Sequence, residues 1–180
     1  RMLDIGARGM QFDLDAASDP VRLILEWRRP TEDVLGSTGI GTPICFEDTV
    51  PSVCRDLVWE NGRKLAPLLL NASNDGWFGP YPGPRSTHLQ LARFRSIENR
   101  VPMVRAVNTG RSAWIDSSGR LRAAAPALVA DAILAETELD DRRPPFATLG
   151  ERPIWSLTLI CILMLIWSGL DSRRTNPRNS

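Results

Sequence analysis

The stretch that decides the reading of this chain is "GTPICFEDTVP", residues 41 to 51. It begins as an apolar run, reaches a thiol at Cys45, and passes Glu47 and Asp48 on the way to Pro51. Proline suits the first turn of a helix, so the stretch reads as a strand ending at Cys45 and a turn into a helix, with Asp48 as a helix-start residue. In open α/β sheets, reactive groups collect at the carboxyl ends of strands. A turn into a helix also offers unpaired backbone N–H groups and the positive end of a helix dipole. Both lower a thiol pKa and steady an oxyanion beside it. Cys45 is thus a candidate nucleophile, with the backbone N–H of Phe46 placed to bind an oxyanion. The stretch alone leaves a second reading open, because free cysteine is among the most buried residue types.

Elements to either side follow the same alternation. Upstream, "RGMQFDLDA" suggests a strand, "PVRLILEW" is a short apolar run of either type, and "RRPTEDVLGSTG" reads as a loop. Downstream, "PSVCRDLVWENG" predicts a helix that stops at Gly62, with Cys54 packed on its apolar stripe. "LAPLLLN" has the length and continuity of a strand buried on both faces. "ASNDGWFGPYPGP" is a loop, in which Asn71, Asn74 and Asp75 are expected to bond local backbone. "RSTHLQLARFRSIENR" predicts a helix with Leu91, Phe94 and Ile97 on its apolar side, ended by Pro102; "PMVRAVN" follows as a strand and "RSAWIDSSGRLRA" as a hairpin. Strand, helix, strand, helix, strand and hairpin make an α/β layered domain.

The 180 residues suffice for one domain with a real core. A net charge of +1 gives no basic surface for nucleic acid. Of 22 basic residues only Lys64 is lysine, so a mechanism that needs a lysine has a single candidate here. Three cysteines and one histidine, His88, without C-x-x-C spacing, argue against both a zinc site and a disulfide framework. No metal and no cofactor is expected.

Residues 154 to 170, "IWSLTLICILMLIWSGL", carry no charge. At about 1.5 Å per residue they extend roughly 26 Å, the low end for a bilayer core. Trp155 and Trp167 lie near the ends, where aromatic belts sit. A transmembrane helix is therefore expected over 151–172, with Cys161 in it and without chemistry. Arg173, Arg174 and Arg178 follow the run, which favours a cytoplasmic tail over 173–180 and puts the preceding domain on the other side of the membrane.

"GTPICFEDTVP", "LLLNASNDGWFG" and "HLQLARFRSIENRVPMVRAVNTGRSAWIDSSGRL", in that order and followed by the apolar run, resemble the second half of a carbon-nitrogen hydrolase (nitrilase-superfamily) domain. More narrowly they resemble the apolipoprotein N-acyltransferase family. The resemblance runs from about residue 39 to the end of the apolar run. It implies an α-β-β-α sandwich over 1–150, with residues 1–38 poorly defined, and a final membrane helix. It also implies a bacterial inner-membrane enzyme with its soluble domain on the periplasmic side. Cys45 would take an acyl group from a phospholipid as a thioester and pass it to the N-terminal diacylglyceryl-cysteine of an apolipoprotein. Glu47 would support the pocket, while Trp77 and Phe78 would line an acyl-chain groove. Glu98, Asn99, Asn108 and Gly110 match structural positions near it.

The same resemblance implies a Glu–Lys–Cys triad whose Glu and Lys precede the cysteine. No lysine precedes Cys45, and Glu26 and Glu32 lie in no matching context. Lys64 follows the cysteine and matches no catalytic motif. The chain is therefore expected to continue upstream of Arg1 and to be inactive by itself. A membrane-tethered amidase or nitrilase, an inactive relative, and a Cys–His hydrolase using His88 as base are the alternatives.

Overall fold

The computed structural model describes residues 20–28 and 34–175, with backbone only for 27, 28, 34, 35 and 169–175. The possible strand within "RGMQFDLDA", Glu32 and Arg178 lie outside the described residues.

One mixed sheet organises the chain. Strands β1 (Arg22–Arg28), β2 (Val34–Gly41), β5 (Leu68–Asn74), β6 (Met103–Asn108), β7 (Ala113–Ile115) and β8 (Leu121–Ala124) lie in the order β1-β2-β5-β6-β7-β8. The central pairs β2–β5 and β5–β6 are parallel, and the outer pairs antiparallel. A separate hairpin joins β3 (Trp59–Glu60) to β4 (Arg63–Lys64). Helices α1 (Pro51–Val58) and α2 (Pro82–Asn99) cross over between the parallel strands and pack on each other over one sheet face. Between them sit Cys54, Leu57, Val58, Leu69, Leu89, Ala92, Val101 and Met103, all buried.

Several expectations change here. The loop expected over 28–39 contains most of β2, because the Gly-rich "VLGSTGIG" lets β2 lie close against its neighbour. A Cβ on Gly39 would stand 2.2 Å from the Leu65 carbonyl oxygen. Helix α1 stops at Val58, four residues before Gly62. Asn61 and Gly62 both take positive φ (49° and 75°) as the two-residue turn of the β3–β4 hairpin, a use that the Asn-Gly pair favours. Strand β5 buries one face only: Leu69, Asn71 and Ser73 point under the helices, whereas Leu70, Ala72 and Asn74 are exposed. The described residues thus supply one helix layer on one principal sheet, and the remaining layers of the expected sandwich are not seen among them.

Helix α2 also turns its expected face outward. Phe94 and Ile97 are exposed, while Arg85, His88, Arg95 and Asn99 are buried beside Leu89 and Ala92. The polar side chains face inward because each finds a partner there. Arg95 donates to the Thr49 carbonyl and Glu98, and Asn99 donates to the Arg95 carbonyl.

After β8 the chain runs irregularly to the short helix α3 (Pro145–Leu149) and the long helix α4 (Arg152–Thr175). Every described apolar side chain of α4, from Ile154 to Trp167, is exposed. Among the described residues no helix is long and apolar enough to cross a membrane. A helix does form over most of the stretch where the span was expected, from Arg152 to Thr175.

Candidate active site

Cys45 does not end a strand. Strand β2 stops at Gly41, Ile44 makes a single parallel bridge to Ala72, and Cys45 opens a 3-10 turn over Cys45–Thr49. Its φ is 51°, in the left-handed region that non-glycine residues rarely enter, a form of strain that gathers at functional sites. The turn is held from several directions. The Ile44 N–H donates to Glu47 Oε2 at 2.7 Å, the Thr49 hydroxyl to the Phe46 carbonyl at 2.7 Å, and Asn71 Nδ2 to the carbonyls of Pro43 (2.9 Å) and Cys45 (3.3 Å). Glu47 therefore braces the turn through the residue just before the thiol. The thiol itself is half-buried.

An aromatic wall rises beside it. Phe46 meets Trp77 edge-on at 4.9 Å between ring centroids and lies parallel to the His88 imidazole at 5.1 Å; Trp77 stacks on Phe78 at 5.3 Å. Trp77 is 65 % exposed, so this wall is open to the surface. A groove of about 440 Å³ runs along it, lined by Phe46, Thr49, Phe78, Pro84, His88 and Leu91 among others.

Beneath the turn lies a buried polar network that the sequence reading does not contain. His88 Nε2 stands 2.7 Å from Asp48 Oδ1, and His88 Nδ1 stands 2.9 Å from Asp75 Oδ1. Asp48 Oδ2 pairs with Arg105 Nε at 3.0 Å, and Arg105 donates to Asn71 Oδ1 at 3.3 Å. Asp48, Asp75, His88 and Arg105 are all at most 2 % exposed. Burial alone works against a charge on His88, but the hydrogen bond and attraction of Asp48 outweigh it and raise the imidazole pKa above its ordinary 6.5. Asp48 is thus a buried partner of His88 and Arg105 and not a helix-start residue. Asp75 serves the network and not its own loop; Asn74 alone bonds local backbone there, accepting the Gly76 N–H at 3.0 Å. Gly110 closes the network from the β6 side, where a Cβ would stand 2.2 Å from Asp75 Oδ2.

The other candidates separate cleanly. Both ring nitrogens of His88 face carboxylates, which leaves neither for the thiol and removes the Cys–His reading. Lys64 donates to the backbone carbonyls of Arg100 (2.9 Å), Asp140 and Arg142 (3.3 Å), so its ammonium ties the segment after β8 to the end of α2. Cys54 is fully buried, and burial, with the nearby Asp48 charge, pushes its thiol up to about 12. Among the described residues no group of three or more His, Cys, Asp or Glu is placed to hold a metal ion. The signal that could have exposed the network is the polar stripe Arg85, His88, Arg95, Asn99 at helical spacing in α2. Asp48 and Arg105 complete it from remote parts of the chain.

The chain is 31 % identical to the apolipoprotein N-acyltransferase of Haemophilus influenzae over 131 residues, covering 70 % of this chain and 25 % of the relative. Against the enzyme of that name from Bordetella bronchiseptica it is 35 % identical over 152 residues (83 % and 27 %). It spans about a quarter of the length of the curated relatives it matches. Among solved structures, a CN-hydrolase superfamily protein from Xanthomonas campestris is similar in outline, with 24 % identity, a TM-score of 0.42, and 61 % and 41 % of the two chains covered. The family model described as carbon-nitrogen hydrolase matches residues 26–144, which take in the sheet, the strained cysteine turn and the buried network, and the chain belongs to that family.

Proposed function

We propose that this chain is the nucleophile-bearing part of a lipoprotein N-acyltransferase. Cys45 attacks the ester carbonyl of a phospholipid. The carbon–oxygen bond breaks, a lysophospholipid leaves with a proton, and the acyl chain remains as a thioester on Sγ. The α-amine of a diacylglyceryl-cysteine at a lipoprotein N-terminus then attacks that thioester, the carbon–sulfur bond breaks, and the thiol is restored. The Phe46 N–H stabilises the oxyanion of both steps. Glu47 holds the turn, and Trp77 and Phe78 line the acyl chain and keep water from the thioester.

The observation that carries this reading is an open groove lined by Phe46 and Phe78, Phe46 being the residue next to a strained, half-buried cysteine. Such a groove fits a long apolar chain better than a small amide. The name shared by the relatives supports the same choice. The exposed apolar surface of α4 supports attachment to the bacterial inner membrane, as a span whose flanking Trp155, Trp167 and basic tail complete what the charge-free stretch lacks. On this reading the soluble part faces the periplasm and the tail the cytoplasm. No lysine precedes Cys45 in these 180 residues, and on this reading the chain alone turns over no substrate.

The test uses a form carrying upstream sequence, phospholipid vesicles and a diacylglyceryl-cysteine peptide. Acyl transfer to the peptide, with an acyl adduct on Cys45 detected by mass spectrometry, is the expected result. Transfer retained after Cys45→Ala overturns the proposal. Hydrolysis of small amides without any phospholipid-derived adduct assigns the chain to the amidases instead.

A further inference from the structure

Ser73, on the covered face of β5, is 9 % exposed, and its hydroxyl stands between two groups. Its Oγ is 3.6 Å from Cys45 Sγ and 3.2 Å from Asp75 Oδ1. A hydroxyl has one proton, so it serves these two neighbours alternately. When Cys45 carries its proton, the Ser73 O–H turns to the Asp75 carboxylate. When Cys45 is a thiolate, the stronger demand for a donor lies at Sγ. Turning there leaves Asp75 Oδ1 still bonded to His88 at 2.9 Å. When the hydroxyl turns away, the carboxylate keeps His88 as its remaining partner.

That partner is fixed in place. Both nitrogens of His88 face carboxylate oxygens, Asp75 on one side and Asp48 on the other. A neutral ring would set a lone pair against one of these oxygens at hydrogen-bond distance, so the geometry calls for protons on both nitrogens. Arg105 joins the same group of side chains from β6, through Asp48. The charged groups facing the thiol and its support are Glu47 and Asp48 from the turn, Asp75 from the loop after β5, His88 from α2 and Arg105 from β6.

We propose that Ser73 is a positioning residue for Cys45: a rotating hydroxyl donor that stabilises the thiolate and is released to do so by the Asp75–His88–Asp48–Arg105 chain. The assignment rests on Cys45 being the nucleophile, but its test does not depend on acyl transfer. Ser73 takes no proton from the thiol. It supplies one hydrogen bond to sulfur in the charged state, which by the usual strength of bonds to charged groups corresponds to about one pH unit in the thiol titration.

The experiment is the pH dependence of iodoacetamide alkylation at Cys45 in the whole 180-residue chain held in detergent, read by peptide mass spectrometry. Buried Cys54 serves as the unreactive reference. Ser73→Ala is expected to move the titration midpoint up by about one unit. Ser73→Thr and Ser73→Val match each other in shape and differ in the hydroxyl. Thr is expected to keep the native midpoint and Val to shift it as Ala does, so the comparison survives a mild loss of stability at this site. Equal midpoints for Thr and Val overturn the assignment while leaving Cys45 as nucleophile intact. A Cys45 as slow as Cys54 at every pH in the native chain removes the nucleophile reading and this proposal with it.

Discussion

His88 Nε2 lies 2.7 Å from Asp48 Oδ1, and neither side chain touches solvent. Replacing His88 with Leu takes one partner from each of two buried carboxylates, leaving Asp48 with Arg105 and Asp75 with the Ser73 hydroxyl. Breaking a buried ion pair from one side costs about 3–5 kcal/mol. Urea unfolding of His88→Leu is expected to show a loss of that size, with His88→Gln, which can still donate to one aspartate, losing less. A loss below about 1 kcal/mol would mean that the network does not hold the fold.

The same contact sets a pH dependence. The His88 pKa is raised in the folded chain, so its contribution to stability is fully present below the unfolded value of 6.5 and is lost as pH rises through the folded value. Thermal unfolding midpoints are expected to fall with rising pH above about 6.5 in the native chain. Subtracting the His88→Gln profile should remove that slope. A slope unchanged in the variant assigns it to another group.

Gly110→Ala tests the network from its opposite wall. The new methyl would meet Asp75 Oδ2 at 2.2 Å and Val107 Cγ1 at 2.5 Å, closer than real atoms approach. Overpacking of this kind costs about 1–3 kcal/mol. Because the displaced atom belongs to Asp75, Cys45 alkylation should change along with the melting temperature. A variant with native stability and native reactivity would show that Asp75 moves aside freely.

Lys64→Met removes the donors that reach the carbonyls of Arg100, Asp140 and Arg142. Leaving partly buried carbonyls unpaired costs about 1–3 kcal/mol. The loss should be local: limited proteolysis is expected to accelerate within residues 125–145 while the sheet stays resistant. Uniform acceleration over the chain would contradict a fastening role.

Trp77→Ala separates stability from lipid use. Trp77 is 65 % exposed and its described ring contacts are to Phe46 and Phe78, so unfolding should move by only about 0.5–1.5 kcal/mol. In a form carrying upstream sequence, the apparent KM for phospholipid is expected to rise several-fold. An unchanged KM removes Trp77 from the acyl groove.

The central parallel strands were legible because "LAPLLLN" and "PMVRAVN" are short, apolar and bounded by turn residues, and the β7–β8 hairpin because Ser-Ser-Gly marks its turn. The turn at Cys45 was legible, although its strand ends earlier than the apolar pattern does. Three things were hidden. Trp59 and Glu60 continue the helical pattern of α1, so local sequence masks a hairpin that Asn61 and Gly62 impose. The inward face of α2 is polar, so hydrophobic periodicity points the helix the wrong way round. And the network joins residues as far apart in sequence as Asp48 and His88, a separation of 40, which no local pattern encodes.

A cysteine held at φ 51° sits about 1–2 kcal/mol above a residue that enters this region freely, as glycine does. Exchanging Cys45 for glycine would therefore relieve the backbone and remove the sulfur at the same Cα, so a sturdier turn and a lost thiol would arrive in one substitution.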